Sequence, residues 1–137
     1  MPRVIIADDN QALLDLLSEF SRRAGWTPET CLTGAQIKDA IGSGTEPALL
    51  LIDIMMPVMD GIEAIDQISE IDRQLRIRFM TGGNSASLIA AKLIASARGL
   101  QVGRNIFKPI GREKYLQILE EEASLLGELG HVRSGST

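Results

Sequence analysis

Four apolar runs each end on a residue that can do chemistry, and this pattern restricts the chain more than any other feature. Val4-Ile5-Ile6-Ala7 runs into Asp8 and Asp9, Leu49-Leu50-Leu51-Ile52 into Asp53, Phe79-Met80 into Thr81, and Ile106-Phe107 into Lys108, which Pro109 follows. Short apolar runs bounded by turn residues read as parallel strands buried on both faces. In an open parallel sheet, ligands sit outside the carboxyl ends of the strands. Asp8, Asp9, Asp53, Thr81 and Lys108 therefore converge on one small site made of three carboxylates, a hydroxyl and an ammonium.

Between the runs the apolar period changes to that of a helix. Leu13, Leu14, Leu17, Phe20 and Ala24 place an amphipathic helix over residues 10–24, with Gly25 as its stop. Residues 3–8 form the first strand and residues 26–31 a second, in which Pro28 removes a ladder donor and so argues for a sheet edge. Thr33 and Gln36 make a capping-box pattern for a short helix over 34–41, and Gly42-Ser43-Gly44 ends it. Residues 49–53 are the third and most central strand. Pro57 and Gly61 punctuate the loop that follows, and Ile62, Ile65 and Ile68, with Ile71 at the end, mark the next helix. Strand four covers 76–81, a long apolar helix 85–98, strand five 103–108, and a last helix begins at Arg112 after Gly111 as N-cap and runs to about Leu126. Residues 1–126 form one domain, and 127–137 read as a flexible tail or the start of a linker.

Strands alternating with helices imply right-handed βαβ units. The expected fold is α/β: a flavodoxin-like, doubly wound, five-stranded parallel sheet in the order 2-1-3-4-5, with helices on both faces. That order makes strands one and three neighbours and places the switch point between them.

Composition excludes several function classes. Lys and Arg number 14 against 18 Asp and Glu, for a net charge of −4 without a basic run, so direct nucleic-acid binding is not expected. No stretch approaches the ~20 apolar residues of a membrane span, and no signal sequence opens the chain. One cysteine, Cys31, permits no internal disulfide and fits a reducing, cytoplasmic compartment; with His131 as the single histidine, no structural zinc site can close. No phosphate-loop or dinucleotide glycine motif occurs. Met55, Met56 and Met59 lie among hard carboxylates and read as loop packing rather than a soft-metal site.

Three carboxylates packed together repel one another unless one is protonated or a cation lies between them. Oxygen ligands that leave positions open for water and phosphate suit Mg2+. With charge neutralised in this way, a carboxylate can attack phosphorus, and Asp53, at the end of the central strand, is the nucleophile candidate. Lys108 can pair with one phosphoryl oxygen and Thr81 can donate to another.

These residues resemble the receiver domain of bacterial two-component response regulators over nearly the whole chain. The resemblance rests on Ala7-Asp8-Asp9-Asn10, on Asp53-Ile54-Met55-Met56-Pro57-Val58-Met59-Asp60-Gly61, on Met80-Thr81-Gly82 and on Lys108-Pro109. It implies that Asp53 takes a phosphoryl group from a histidine kinase or histidine phosphotransfer protein, and that Asp9 binds Mg2+ directly and Asp8 largely through water. It further implies that Met55 supplies a backbone carbonyl to the metal, that Thr81 is the switch hydroxyl and Lys108 the phosphate-pairing lysine, and that the Lys108–Pro109 bond is cis. One departure stands out: Asn105 occupies the position, three before the lysine, where the family usually has an aromatic residue. By strand alternation Phe107 shares the side of Asn105, next to the lysine.

The expected function is a phosphoacceptor switch that catalyses only its own phosphorylation and dephosphorylation. The fourth helix, fifth strand and last helix form its partner or homodimer face, and the output partner is not named by these residues. Two rival readings are an unphosphorylated interaction module and a Mg2+-dependent aspartyl-phosphate phosphatase. The phosphatase chemistry wants Asp-x-Asp after the first strand, where this chain has Asp8-Asp9-Asn10.

Overall fold

A computed structural model of the chain describes residues 2–42, 46–55, 61–68, 74–83 and 85–135. In chain order the elements are β1 (Arg3–Ala7), α1 (Gln11–Arg23), β2 (Thr27–Cys31), a 3-10 turn (Gly34–Gln36) leading into α2 (Ile37–Ile41), and β3 (Ala48–Asp53). They continue with α3 (Gly61–Ile68), β4 (Leu75–Thr81), α4 (Ser85–Ala97), β5 (Gln101–Val102), β6 (Ile106–Phe107) and α5 (Arg112–Gly135). All pairings are parallel, in the order β2-β1-β3-β4-β5, with β6 also on β4. This is the doubly wound 2-1-3-4-5 sheet expected from the sequence, with Pro28 on its edge strand.

Period-two alternation divides the core into two layers. Ile5, Leu50, Ile52, Ile77 and Phe79 point to the side covered by α2, α3 and α4, where Ile37, Ile41, Ile65, Ile68, Leu88 and Ala91 meet them. Val4, Ile6, Leu49, Leu51 and Met80 point to the side of α1 and α5, against Leu14, Leu17, Tyr115, Ile118 and Leu119. Every residue of β3 is buried, as a strand covered on both faces requires. The register sets Ala7 opposite Ile52 and Asp53 opposite Met80, so the residues just past the strand ends gather at one edge of the sheet.

The structure departs from the sequence expectation in four places. The fifth strand, expected over 103–108, is two short pieces separated by residues 103–105, because the Arg78 side chain takes the carbonyl of Arg104 as its acceptor there. The helix expected over 34–41 starts as a 3-10 turn: Thr33 makes no side-chain cap, and Gln36 Oε1 instead accepts from Leu32 N at 2.8 Å. The last helix continues through Gly135 rather than ending near Leu126, with Gly127 inside it. A glycine costs a helix about 1 kcal/mol relative to alanine, which weakens it without stopping it. Finally, Asn105 lies in the link between β5 and β6, outside both strands, so strand alternation does not relate it to Phe107. Met56, Pro57, Val58, Met59, Asp60 and Ile71 lie outside the described residues.

Candidate phosphoacceptor site

The backbone builds the site before any side chain does. Asp8 N donates to Cys31 O at 3.0 Å, tying the end of β1 to the end of β2. Asp8 Oδ1 accepts from Asn10 N at 2.9 Å, and Asn10 in turn caps α1 by accepting from Leu13 N at 3.2 Å. The turn thus fixes the Asp8 carboxylate inside, fully buried, and leaves Asp9 exposed. On the neighbouring strand, Asp53 is 6% exposed, and its Oδ1 accepts from Met55 N at 3.2 Å. Ile54 N donates to Met80 O and Lys108 N to Thr81 O, at 3.1 and 2.9 Å, which draws the ends of β3, β4 and β6 together. The Lys108–Pro109 bond is cis.

Lys108 Nζ lies 2.5 Å from Asp8 Oδ2 and 3.3 Å from Asp53 Oδ2. Ligand oxygens of Asp8, Asp9 and Asp53 all fall within 4.8 Å of one another. Four of the expected site residues therefore meet. Thr81 ends β4, buried, with its Oγ1 accepting from Gly83 N at 3.1 Å. Met55, like Asp9, is exposed, and what the structure shows of it at the site is its N–H on Asp53.

Two measures of the lysine's grip on Asp8 differ. By distance the two form an ion pair, yet Asp8 Oδ2 is buried and meets no hydrogen-bond geometry. Coulomb attraction holds the pair without the angle that a hydrogen bond needs. An oxygen so placed keeps a lone pair open toward the cluster. That opening and the three hard carboxylates fit a Mg2+ ion. A soft or structural metal lacks donors here: the buried Cys31 thiol is pushed up to about 11 by burial and by the charge of Glu29.

Burial, and then the charge of Asp8, push the Asp53 carboxyl above the usual carboxylate range; Lys108 and the Met55 N–H oppose them. For Lys108, burial works against the charged ammonium, but Asp8 and Asp53 outweigh it and hold its pKa above the ordinary lysine value. The Asp53 shift has a definite sign in stability. Below about pH 4, the unfolded-state value for aspartate, both states are protonated and the shift contributes nothing. As pH rises, the unfolded chain gives up the proton first, so a penalty on the native state grows until pH has passed the raised folded value and stays in full above it. Asp53→Asn should therefore raise the thermal midpoint of the metal-free protein at neutral pH, with the gain shrinking toward acid. Equal gains at both pH values in calorimetry would contradict it.

Sequence reasoning missed a second cluster. Arg76 and Arg78 on β4 form ion pairs with Glu121 and Glu122 on α5. The available signal was the alternation Leu75-Arg76-Ile77-Arg78-Phe79, two charges on one face of a strand otherwise apolar. It missed as well the capping role of Asn10, quoted in the motif but given no task.

A family model for the response regulator receiver domain matches residues 4–120. The chain belongs to that family. This receiver is 36% identical to the response regulator receiver protein CpdR of Brucella abortus over 89 residues, covering 64% of this chain and 72% of CpdR. Its fold matches a CheY-like receiver domain protein of Methanospirillum hungatei with a TM-score of 0.77 at 22% identity, over 93% of this chain and 98% of the other. The response regulator TrrA of Thermotoga maritima, solved in complex with Mg2+ and BeF, matches with a TM-score of 0.68 at 20% identity, over 92% of this chain and 99% of TrrA. The receiver is a phosphoacceptor switch of two-component signal transduction.

Proposed function

We propose that Asp53 is the residue phosphorylated, by a histidine kinase or a histidine phosphotransfer protein in the cytoplasm, with Asp8, Asp9, Asp53 and the backbone carbonyl of Met55 holding Mg2+. The observation that carries this is the meeting of Asp53 with Lys108 at 3.3 Å inside a three-carboxylate cluster. Bound there, Mg2+ would neutralise charge on the carboxylates and on an incoming phosphoryl group. Asp53 Oδ2 is the attacking oxygen, with Oδ1 kept on Met55 N–H; its bond to phosphorus forms as the donor's phosphorus–nitrogen bond breaks and the histidine leaves. Lys108 exchanges its carboxylate partners for a phosphoryl oxygen. Thr81 turns its hydroxyl from Gly83 N toward another phosphoryl oxygen, taking its loop with it. The receiver turns over no metabolite; TrrA, which shares the fold, was solved with Mg2+ and BeF.

Output passes through α4, the β5–β6 edge and α5. On α4, Leu88, Ala91 and Ala95 are buried while Ile89 and Leu93 are 59% and 67% exposed, so its apolar residues exceed what the sheet covers. No helix among the described residues is long and apolar enough to cross a membrane. Acetyl phosphate with Mg2+ should add one phosphoryl group by intact mass, released by hydroxylamine; no uptake would favour the unphosphorylated module instead. Beryllofluoride with Mg2+ should shift amides over residues 82–104 more than any others outside the site. Largest remote shifts in α1 or α2 would contradict this output face. Amides are the better reporter, because Trp26 precedes β2 at the end of the sheet away from the site.

A further inference from the structure

Arg76, Arg78 and Met80 share the side of β4 that α5 covers. Arg78 is 5% exposed. Arg76 forks onto Glu122, with Nε 2.9 Å from Oε1 and Nη2 3.1 Å from Oε2. Arg78 is bound at both ends. Its Nη1 lies 3.3 Å from Glu121 Oε2 and 3.7 Å from Glu122 Oε2, while its Nε donates to Arg104 O at 2.9 Å.

Arg104 lies in the link between β5 and β6. Gly103 N donates to Ile77 O at 2.8 Å, and a Cβ on Gly103 would come within 2.9 Å of Arg76 Nη2 and 3.1 Å of Arg78 Cγ. A side chain at 103 would press on both arginines and make them shift. Past the link, Ile106 and Phe107 rejoin β4 opposite Met80 and Thr81, and Lys108 follows directly. The guanidinium of Arg78 thus stands between α5 and the segment that carries the site lysine. Arg76 offers an internal contrast: it holds α5 through the same Glu122 but donates to nothing in the link.

We infer that Arg78 is a positioning residue for the phosphoacceptor site, fixing the Lys108-bearing segment through the carbonyl of Arg104 and making its position answer to Glu121 and Glu122 of α5. This rests on the reading of Lys108 as the phosphoryl-pairing group. Movement of Lys108 toward a phosphoryl oxygen is then passed to α5 through one buried side chain. By linkage, a partner gripping α5 changes how readily the lysine moves.

The test compares Arg78→Met with Arg76→Met, each alone and combined with Lys108→Ala, in acetyl phosphate labelling at saturating Mg2+ and in Mg2+-beryllofluoride amide shifts. Arg78→Met should change the labelling rate by roughly two- to thirty-fold, the range expected for residues that couple sites. It should leave Mg2+ affinity as it is and remove the beryllofluoride shifts along α5. Arg76→Met should keep both rate and shifts. In the Lys108→Ala background, Arg78→Met should have no further effect. If Arg78→Met does not fold, Arg78→Lys keeps a cation near Glu121 while losing the Nε donor and serves the same comparison. The inference alone is overturned if Arg78 variants match wild type, if Arg76→Met acts equally, or if the Arg78 effect adds in full to that of Lys108→Ala. A Lys108→Ala variant with wild-type rate and shifts overturns the site reading, and this inference with it.

Discussion

Asp53→Asn should take up no phosphoryl group from acetyl phosphate with Mg2+, at any donor concentration that labels the wild type. The substitution keeps shape and an oxygen to accept from Met55 N, so the loop after β3 retains its anchor. What it removes is the nucleophile: an amide oxygen carries no charge to form the bond to phosphorus. The neighbouring carboxylates are poorly placed to replace it. Asp8 is fully buried, with Oδ1 engaged by Asn10 N and Oδ2 facing Lys108. Asp9 is exposed, and no cation is paired with it among the described residues to receive a phosphoryl oxygen. Peptide mapping that found persistent label on Asp8 or Asp9 would remove Asp53 as the acceptor. Asp9→Ala should behave differently, raising the Mg2+ concentration needed for labelling while leaving the acceptor in place.

The site was legible in the sequence because its parts are tied to strand ends. A buried parallel strand announces itself by an unbroken apolar run, and the residue that breaks the run is the one delivered to the carboxyl edge. Asp8, Asp53, Thr81 and Lys108 are placed at strand ends by this pattern, where the structure also has them, and Pro28 marks the edge strand by the donor it lacks. What was illegible depended on contacts between distant segments. The split of the fifth strand follows from Arg78 bonding Arg104 O across 26 residues, which no local pattern encodes. The extent of α5 was misjudged because glycine is only a weak stop where no tertiary contact demands one. Asn105 was recognised as a departure from the family, but its situation was not. Its Oδ1 is buried without a hydrogen-bond partner, whereas Phe107 nearby is 54% exposed. Nothing local in the sequence distinguishes those two environments.

Glu122→Ala should destabilise the receiver by about 3–5 kcal/mol, the cost of leaving buried charges without their partner. Glu122 is 1% exposed and receives both prongs of Arg76, with Arg78 at 3.7 Å. Its removal leaves two guanidinium groups between β4 and α5, and the side chain best placed to replace it is already committed. Glu121 is 49% exposed, and among the described residues its ion pair is with Arg78, at 3.3 Å. Because the Glu121 side chain is half-exposed and Arg78 keeps Glu122 and the Arg104 carbonyl, Glu121→Ala should cost far less, about 1 kcal/mol. The contrast between adjacent glutamates separates burial from mere charge. A loss of 3–5 kcal/mol is a large share of the roughly 5–15 kcal/mol that holds a domain folded. The variant should therefore unfold at much lower urea with an unchanged slope, while salt, which screens the Glu121 contact, should do little to the Glu122 effect. Comparable losses at the two positions would mean that the seam between β4 and α5 is wet in solution. In that case the arginines would be solvated rather than clamped, and α5 would be held by the packing of Tyr115, Ile118, Leu119 and Leu126 and by the Tyr115–Ser21 and Lys114–Phe107 hydrogen bonds.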